Sequence, residues 1–181
     1  MSSDKETQKL AVGFMFIDLE TCGRCLGTED ALDAAVAITR PALETVGVEL
    51  EVTKTLVESE EHADMLKFQS SPTIRIGGRD VAGALKESNC GDCGDVCGED
   101  TDCRVWIWRG KDHTAAPVGL LVEAILQEAI SPEETAESNS SYVVPDNLKQ
   151  FFAGKHKQNR PDTADKTAAP CCSPAESSKC C

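Results

Sequence analysis

Ten cysteines are the residues of this 181-residue chain most able to do chemistry, and they are not scattered. Cys22 and Cys25 form a Cys-x-x-Cys pair. Cys90, Cys93, Cys97 and Cys103 form a second group, and Cys171, Cys172, Cys180 and Cys181 a third. Thiols that only fill a core would be spread more evenly. The Cys22-Gly23-Arg24-Cys25 spacing lets two sulfurs meet in a small ring. A thiol at a helix start, beside the fixed charge of Arg24, ionises more easily. The thiolate is the form that attacks a disulfide or binds a soft metal. On this reading Cys22 is the more exposed nucleophile and Cys25 resolves the mixed disulfide, with no cofactor required.

The second group, Cys90-x2-Cys93-x3-Cys97-x5-Cys103, is interleaved with Gly91, Gly94 and Gly98, which let the backbone turn sharply. Four thiolates can hold zinc, an iron–sulfur cluster or another thiophilic metal or metalloid. The acids between them, Asp92, Asp95, Glu99, Asp100 and Asp102, oppose thiolate formation unless a cation balances them. Auxiliary redox cysteines and a purely structural loop are the alternatives. The vicinal pairs Cys171-Cys172 and Cys180-Cys181 suit soft ions such as arsenite, mercuric or cuprous ion. On a tethered arm they would meet the Cys22 pair at high effective concentration. All eight cysteines of these two groups are candidate metal ligands. His62, His113 and His156 share no ligand spacing, and no phosphate loop, dinucleotide fingerprint, H-E-x-x-H or nucleophilic serine motif is present.

Elements must position these thiols. Leu10 to Leu19 reads as a buried strand ending just before the Cys pair. A helix is predicted from Thr28, capped by it and carrying Glu29 and Asp30 in its first turn. Pro41 is expected to kink or split that helix, and Gly47 to end it. Val48 to Val52 alternates as a half-buried strand. Ser59 to Phe68 is a second helix. Ser71 to Gly78 is a strand with a glycine turn, Val105 to Trp108 another strand, and Pro117 to Ile130 a helix. The order implies a mixed sheet with helices over its faces, a parallel pair first and an antiparallel hairpin, interrupted by a long insertion, last. Trp106 and Trp108 share a face, where packing is their expected role.

With those elements in place, the chain resembles the thioredoxin superfamily over roughly residues 10 to 130. Cys22-Gly23-Arg24-Cys25 and Ser71-Pro72-Thr73 carry the resemblance. It implies that Pro72 is cis and faces the Cys pair, that Ser71 lines the site, and that the adjacent backbone docks a substrate chain. More narrowly, Thr21-Cys22-Gly23-Arg24-Cys25 is similar to the T-C-x-R-C motif of an uncharacterised prokaryotic family of thioredoxin-like domains. The fold expected is therefore α/β and thioredoxin-like, with a Cys-rich insertion at about 86–104. Residues 1–9 are expected to be flexible. Residues 131–181 are expected to be a disordered low-complexity tail containing a short docking segment, 142–154.

Composition narrows the partners. The net charge of -13 disfavours nucleic acid and anionic membrane. No apolar run approaches the roughly 20 residues of a membrane helix. The polar N-terminus does not read as a signal peptide, so the cytoplasm is expected, where thiols stay reduced. Two functions stand open. One is thiol–disulfide exchange with a protein or small-molecule disulfide, which would make the protein an oxidoreductase. The other is binding or trafficking of a thiophilic metal or metalloid such as arsenic, mercury, copper or zinc.

Overall fold

Every second residue of the first apolar run, Leu10, Val12, Phe14 and Phe16, is buried, as a strand inside a sheet requires. That strand is β1 (Gln8–Phe16) in a computed structural model that describes residues 7–98, 100–132 and 141–158. It is followed by α1 (Gly23–Thr45), β2 (Val48–Leu56), α2 (Glu60–Leu66), β3 (Thr73–Ile76) and β4 (Arg79–Asp80). Next come β5 (Glu87–Asn89), α3 (Gly91–Cys97), β6 (Asp102–Arg104), β7 (Trp106–Trp108) and β8 (Lys111–His113). Two helices close the chain, α4 (Val118–Ile130) and α5 (Asp146–Gln158). The main sheet has the order β2-β1-β3-β4, parallel between β1 and β2 and antiparallel elsewhere. The protein is thus a mixed α/β structure. α1 packs against α4 and β2. Among the described residues, no helix is long and apolar enough to cross a membrane.

Four local expectations change. The first helix starts at Gly23, not Thr28, and Cys22 is its N-cap residue. Thr28 is buried within it, where its hydroxyl accepts the Ala116 N–H at 3.2 Å. The earlier start is possible because acids from elsewhere, Asp18 and Asp92, take the first N–H groups. Of the two effects expected of Pro41, a kink or a split, the split does not occur, and the helix continues through it to Thr45. Only the Ala37 carbonyl loses its usual partner, and Ala37 lies on the exposed side near the helix end. Third, β3 does not pair with the later tryptophan strand. Gly77 and Gly78, at φ 57° and 84°, turn the chain straight back into β4, a conformation that glycine adopts without steric cost. The tryptophan strand pairs with β8 in a hairpin of its own.

Fourth, the apolar island after residue 141 continues as a helix to Gln158, past the Gly154 boundary read from composition. Lys155, His156 and Lys157 fall in its last turn, where cations suit the helix dipole. Leu148, Phe151 and Phe152 are buried, and α5 packs on α3 and α2. The Tyr142 hydroxyl donates to the Phe68 carbonyl. A Cβ on Gly154 would lie 2.3 Å from the Cys97 carbonyl oxygen, so the two helices meet too closely for any side chain there. Docking of α5 is therefore part of what holds the Cys-rich insertion. Phe151→Ala should cost about 3–5 kcal/mol, read as a lower midpoint in chemical denaturation. An unchanged midpoint would mean that α5 contributes nothing to the fold.

Candidate metal centre

The site is assembled from three pieces of chain. Cys22 stands at the N-cap of α1, at the end of the loop leaving β1. Cys90 is the N-cap residue of α3, and Cys93 sits in its first turn. Cys103 is on β6, opposite Ser88 in the β5–β6 hairpin. The sulfurs of Cys22, Cys90, Cys93 and Cys103 all lie within 4.8 Å of one another. Two of the separations are 4.0 Å, Cys22 to Cys90, and 3.4 Å, Cys93 to Cys103. All four residues are buried. A tetrahedral ion with metal–sulfur bonds of about 2.3 Å places its sulfurs about 3.8 Å apart. The donor set therefore fits a single four-coordinate thiophilic ion. An iron–sulfur cluster, which spreads its thiolates over several irons, needs wider spacing.

Polar contacts lock the insertion onto α1. The Arg24 guanidinium donates to the carbonyls of Ser88, Asn89 and Cys103 and to the Ser88 hydroxyl. Asp92, from α3, accepts the Gly23 N–H at 2.8 Å. One Asp18 carboxylate oxygen accepts the Thr21 N–H at 2.9 Å, the Thr21 hydroxyl at 2.8 Å and the Cys22 N–H at 2.8 Å. Burial alone would raise the Asp18 pKa. The donors from Thr21, Cys22 and Glu20 outweigh it and hold the carboxyl below its ordinary value.

The thiols share protons. Donation from Cys103, and from Cys25, Cys90 and Cys93, pulls the Cys22 thiol far down. The Cys103 contact brings Cys90 down to about 7. Cys25, which donates to Cys22, is pushed up, as are Cys93 beside Cys103 and Cys103 beside Cys22. These directions favour a thiolate at Cys22 and protonated thiols at Cys93 and Cys103. A cation would displace those remaining protons. A cavity of about 540 Å³ lined by Asn89, Cys90, Gly94, Asp95 and Asp100 opens from Cys90 to solvent. Acids at that mouth favour the approach of cations.

The structure divides both cysteine groups read from the sequence. Cys22 joins the insertion, while its partner Cys25 is buried with its sulfur 3.4 Å from the Ser71 hydroxyl. That hydroxyl also accepts the Ile17 N–H at 3.2 Å. The Ser71–Pro72 peptide is cis. Cys97 lies outside the four-sulfur group, 3.2 Å from the Thr101 hydroxyl. Cys22, expected to be exposed, is fully buried. Cys171, Cys172, Cys180 and Cys181 lie outside the described residues, as do residues 1–6 and most of the predicted tail; Gln8 and Lys9, expected to be part of a flexible N-terminus, belong instead to β1.

Two roles had no place in the reading of the thiols. Asp18 as a helix-start acceptor was signalled by an acid a few residues before a capping position. Arg104 had no such signal. Its N–H donates to the Ser71 carbonyl at 2.8 Å. Its buried guanidinium bonds Thr73 and pairs with Asp80 at 2.8 Å. The backbone edge beside Pro72 is thus taken by the chain's own insertion.

A family model described as "Domain of unknown function (DUF2703)" matches residues 10–125. No curated protein and no solved structure matches the chain.

Proposed function

The chain belongs to the DUF2703 family, whose description names no activity, and from the geometry of its thiols we propose that it binds a thiophilic metal or metalloid ion. The ligands are Cys22, Cys90, Cys93 and Cys103. The observation that carries this reading is four buried sulfurs gathered within the coordination sphere of one ion. An all-sulfur donor set selects soft or borderline ions, zinc or cuprous ion among them, over magnesium or calcium. A reducing compartment such as the cytoplasm belongs to the reading, because it keeps the thiols free.

The scaffold is read as thioredoxin-like. Support comes from the sheet order β2-β1-β3-β4, the Cys-x-x-Cys turn at the start of α1, and the cis Pro72 next to the residue that holds Cys25. Thiol–disulfide exchange through Cys22 and Cys25 is the second reading, favoured by the Cys25–Ser71 contact. Two observations put it behind ion binding. Cys22 offers no surface to an incoming disulfide. The Ser71 carbonyl, on the edge where a substrate chain would dock, is occupied by Arg104.

Cobalt(II) tests the proposal, because tetrahedral thiolate coordination gives it intense charge-transfer and visible bands. The reduced full-length chain, with its four terminal cysteines changed to serine, should develop those bands to saturation at one ion per chain. Zinc should then bleach them. Absence of saturable bands in the folded protein would refute the assignment.

A further inference from the structure

Cys22 is claimed by two sets of partners. It belongs to the four-sulfur centre, and it is also the first cysteine of a Cys-x-x-Cys turn whose second thiol is not a ligand. Cys25 is held by Ser71, itself fixed by the Ile17 N–H, and stands three residues after Cys22 in the first turn of the helix that Cys22 caps. A sulfur cannot serve as a full thiolate ligand and sit in a disulfide at once. Resting on the ion-binding reading above, we propose that the centre releases its ion on oxidation by a hydroperoxide. A Cys22–Cys25 disulfide replaces Cys22 in the coordination sphere.

The chemistry closes without a further reagent. The Cys22 thiolate attacks the terminal oxygen of the hydroperoxide. An S–O bond forms, the O–O bond breaks, and the departing oxygen takes up a proton to leave as an alcohol, or as water from hydrogen peroxide itself. The Cys25 thiol then attacks the Cys22 sulfur. The S–S bond forms, the S–O bond breaks, and the hydroxyl leaves as water with the proton from Cys25. Two electrons pass from the two sulfurs to the peroxide. The centre is left with three ligands, Cys90, Cys93 and Cys103, and its ion departs as a cation. The approach proposed for a small peroxide is the solvent cavity lined by Cys90, whose sulfur is 4.0 Å from that of Cys22. A protein disulfide is too large for that route. Cys25 is suited to be the attacking thiol because it gives up no metal bond in reacting. By linkage, an ion that oxidation expels must also stabilise the reduced form of the Cys22–Cys25 pair.

The test uses the full-length chain with Cys171, Cys172, Cys180 and Cys181 changed to serine, reduced, with and without zinc. It is exposed to hydrogen peroxide. Released zinc is read with a chromogenic chelator, and disulfides are mapped by peptide mass after free thiols are blocked. The expected result is a Cys22–Cys25 disulfide, with about one zinc lost for each disulfide formed. Zinc should slow that disulfide, because the bound ion holds the Cys22 electron pair that attacks the peroxide, and a thiol reductant should restore zinc binding. Cys25→Ser leaves the Cys22 sulfenic acid without its partner, so dimedone should trap that acid in the variant and not in the wild type. Zinc bound as proposed, but released by peroxide with no Cys22–Cys25 disulfide formed, would overturn the inference and leave the ion site standing. So would a first disulfide linking Cys22 to Cys90 or Cys93 to Cys103. Failure of zinc to bind, with the Cys22–Cys25 disulfide forming equally fast in its presence, would overturn the ion site and the inference together.

Discussion

Cys103→Ser should weaken ion binding about 100-fold, while Cys97→Ser should leave it at the wild-type level. The two positions look equivalent in the sequence, since both belong to the run from Cys90 to Cys103. They are not equivalent in space. The Cys103 sulfur is 3.4 Å from that of Cys93, inside the four-sulfur group. The Cys97 sulfur faces the Thr101 hydroxyl, a contact that serine can keep. Structural zinc in tetrahedral protein sites binds with about 10–16 kcal/mol, so one of four ligands accounts for about 3 kcal/mol, roughly a 100-fold loss of affinity. Competition against a chromogenic chelator measures both variants. If Cys97→Ser lost the ion and Cys103→Ser kept it, the insertion would have to wrap its ligand in another way.

Removal of Asp18 should destabilise the turn that sets Cys22 at the head of α1. Its carboxylate is the common acceptor for the Thr21 N–H, the Thr21 hydroxyl and the Cys22 N–H, at 7% exposure. Asp18→Ala leaves donors at the start of α1 without an acceptor in a place water reaches poorly. Each such group costs about 1–3 kcal/mol, so a loss of about 3 kcal/mol is expected in urea denaturation. The pH dependence has a definite sign. The Asp18 pKa is lower in the folded protein than its ordinary value. The stability it supplies is therefore complete above the unfolded pKa of about 3.9 and disappears as pH falls through the folded value. The gap between wild type and Asp18→Ala should be flat from neutral pH down to about 4 and shrink below. A gap that opens instead as pH falls would show that the carboxylate is not what holds the turn.

Much of this protein is dictated by its sequence through local rules. Apolar residues at every second place from Leu10 to Phe16 require a buried strand, and the Cys-x-x-Cys turn follows it. Ser59 precedes Glu60 and Glu61 as a cap with acids in the first turn, and its hydroxyl does accept the His62 N–H. The apolar run after Pro117 has to be a helix. The gathering of cysteines into groups already pointed to thiolate chemistry. These features depend on neighbours a few residues apart, where side-chain period and capping decide the outcome.

Which sulfurs meet was decided by the tertiary structure alone. Cys22 lies 68 residues before Cys90, and no local preference relates them. Their meeting depends on the β5–β6 register that sets Cys103 opposite Ser88, on Arg24 gripping three carbonyls of the insertion, and on Asp92 reaching the start of α1. The same long-range contacts moved the start of α1 from Thr28 to Gly23, because the acids that take its first N–H groups come from the loop before it and from the insertion. Packing of α5 against α3, with no room for a Cβ at Gly154, helps hold Cys97 away from the centre. A thiol's type and spacing announce what it can bind. Its partners depend on which distant surfaces bury one another, because desolvation and hydrogen bonding across the fold bring those sulfurs within one ion's reach.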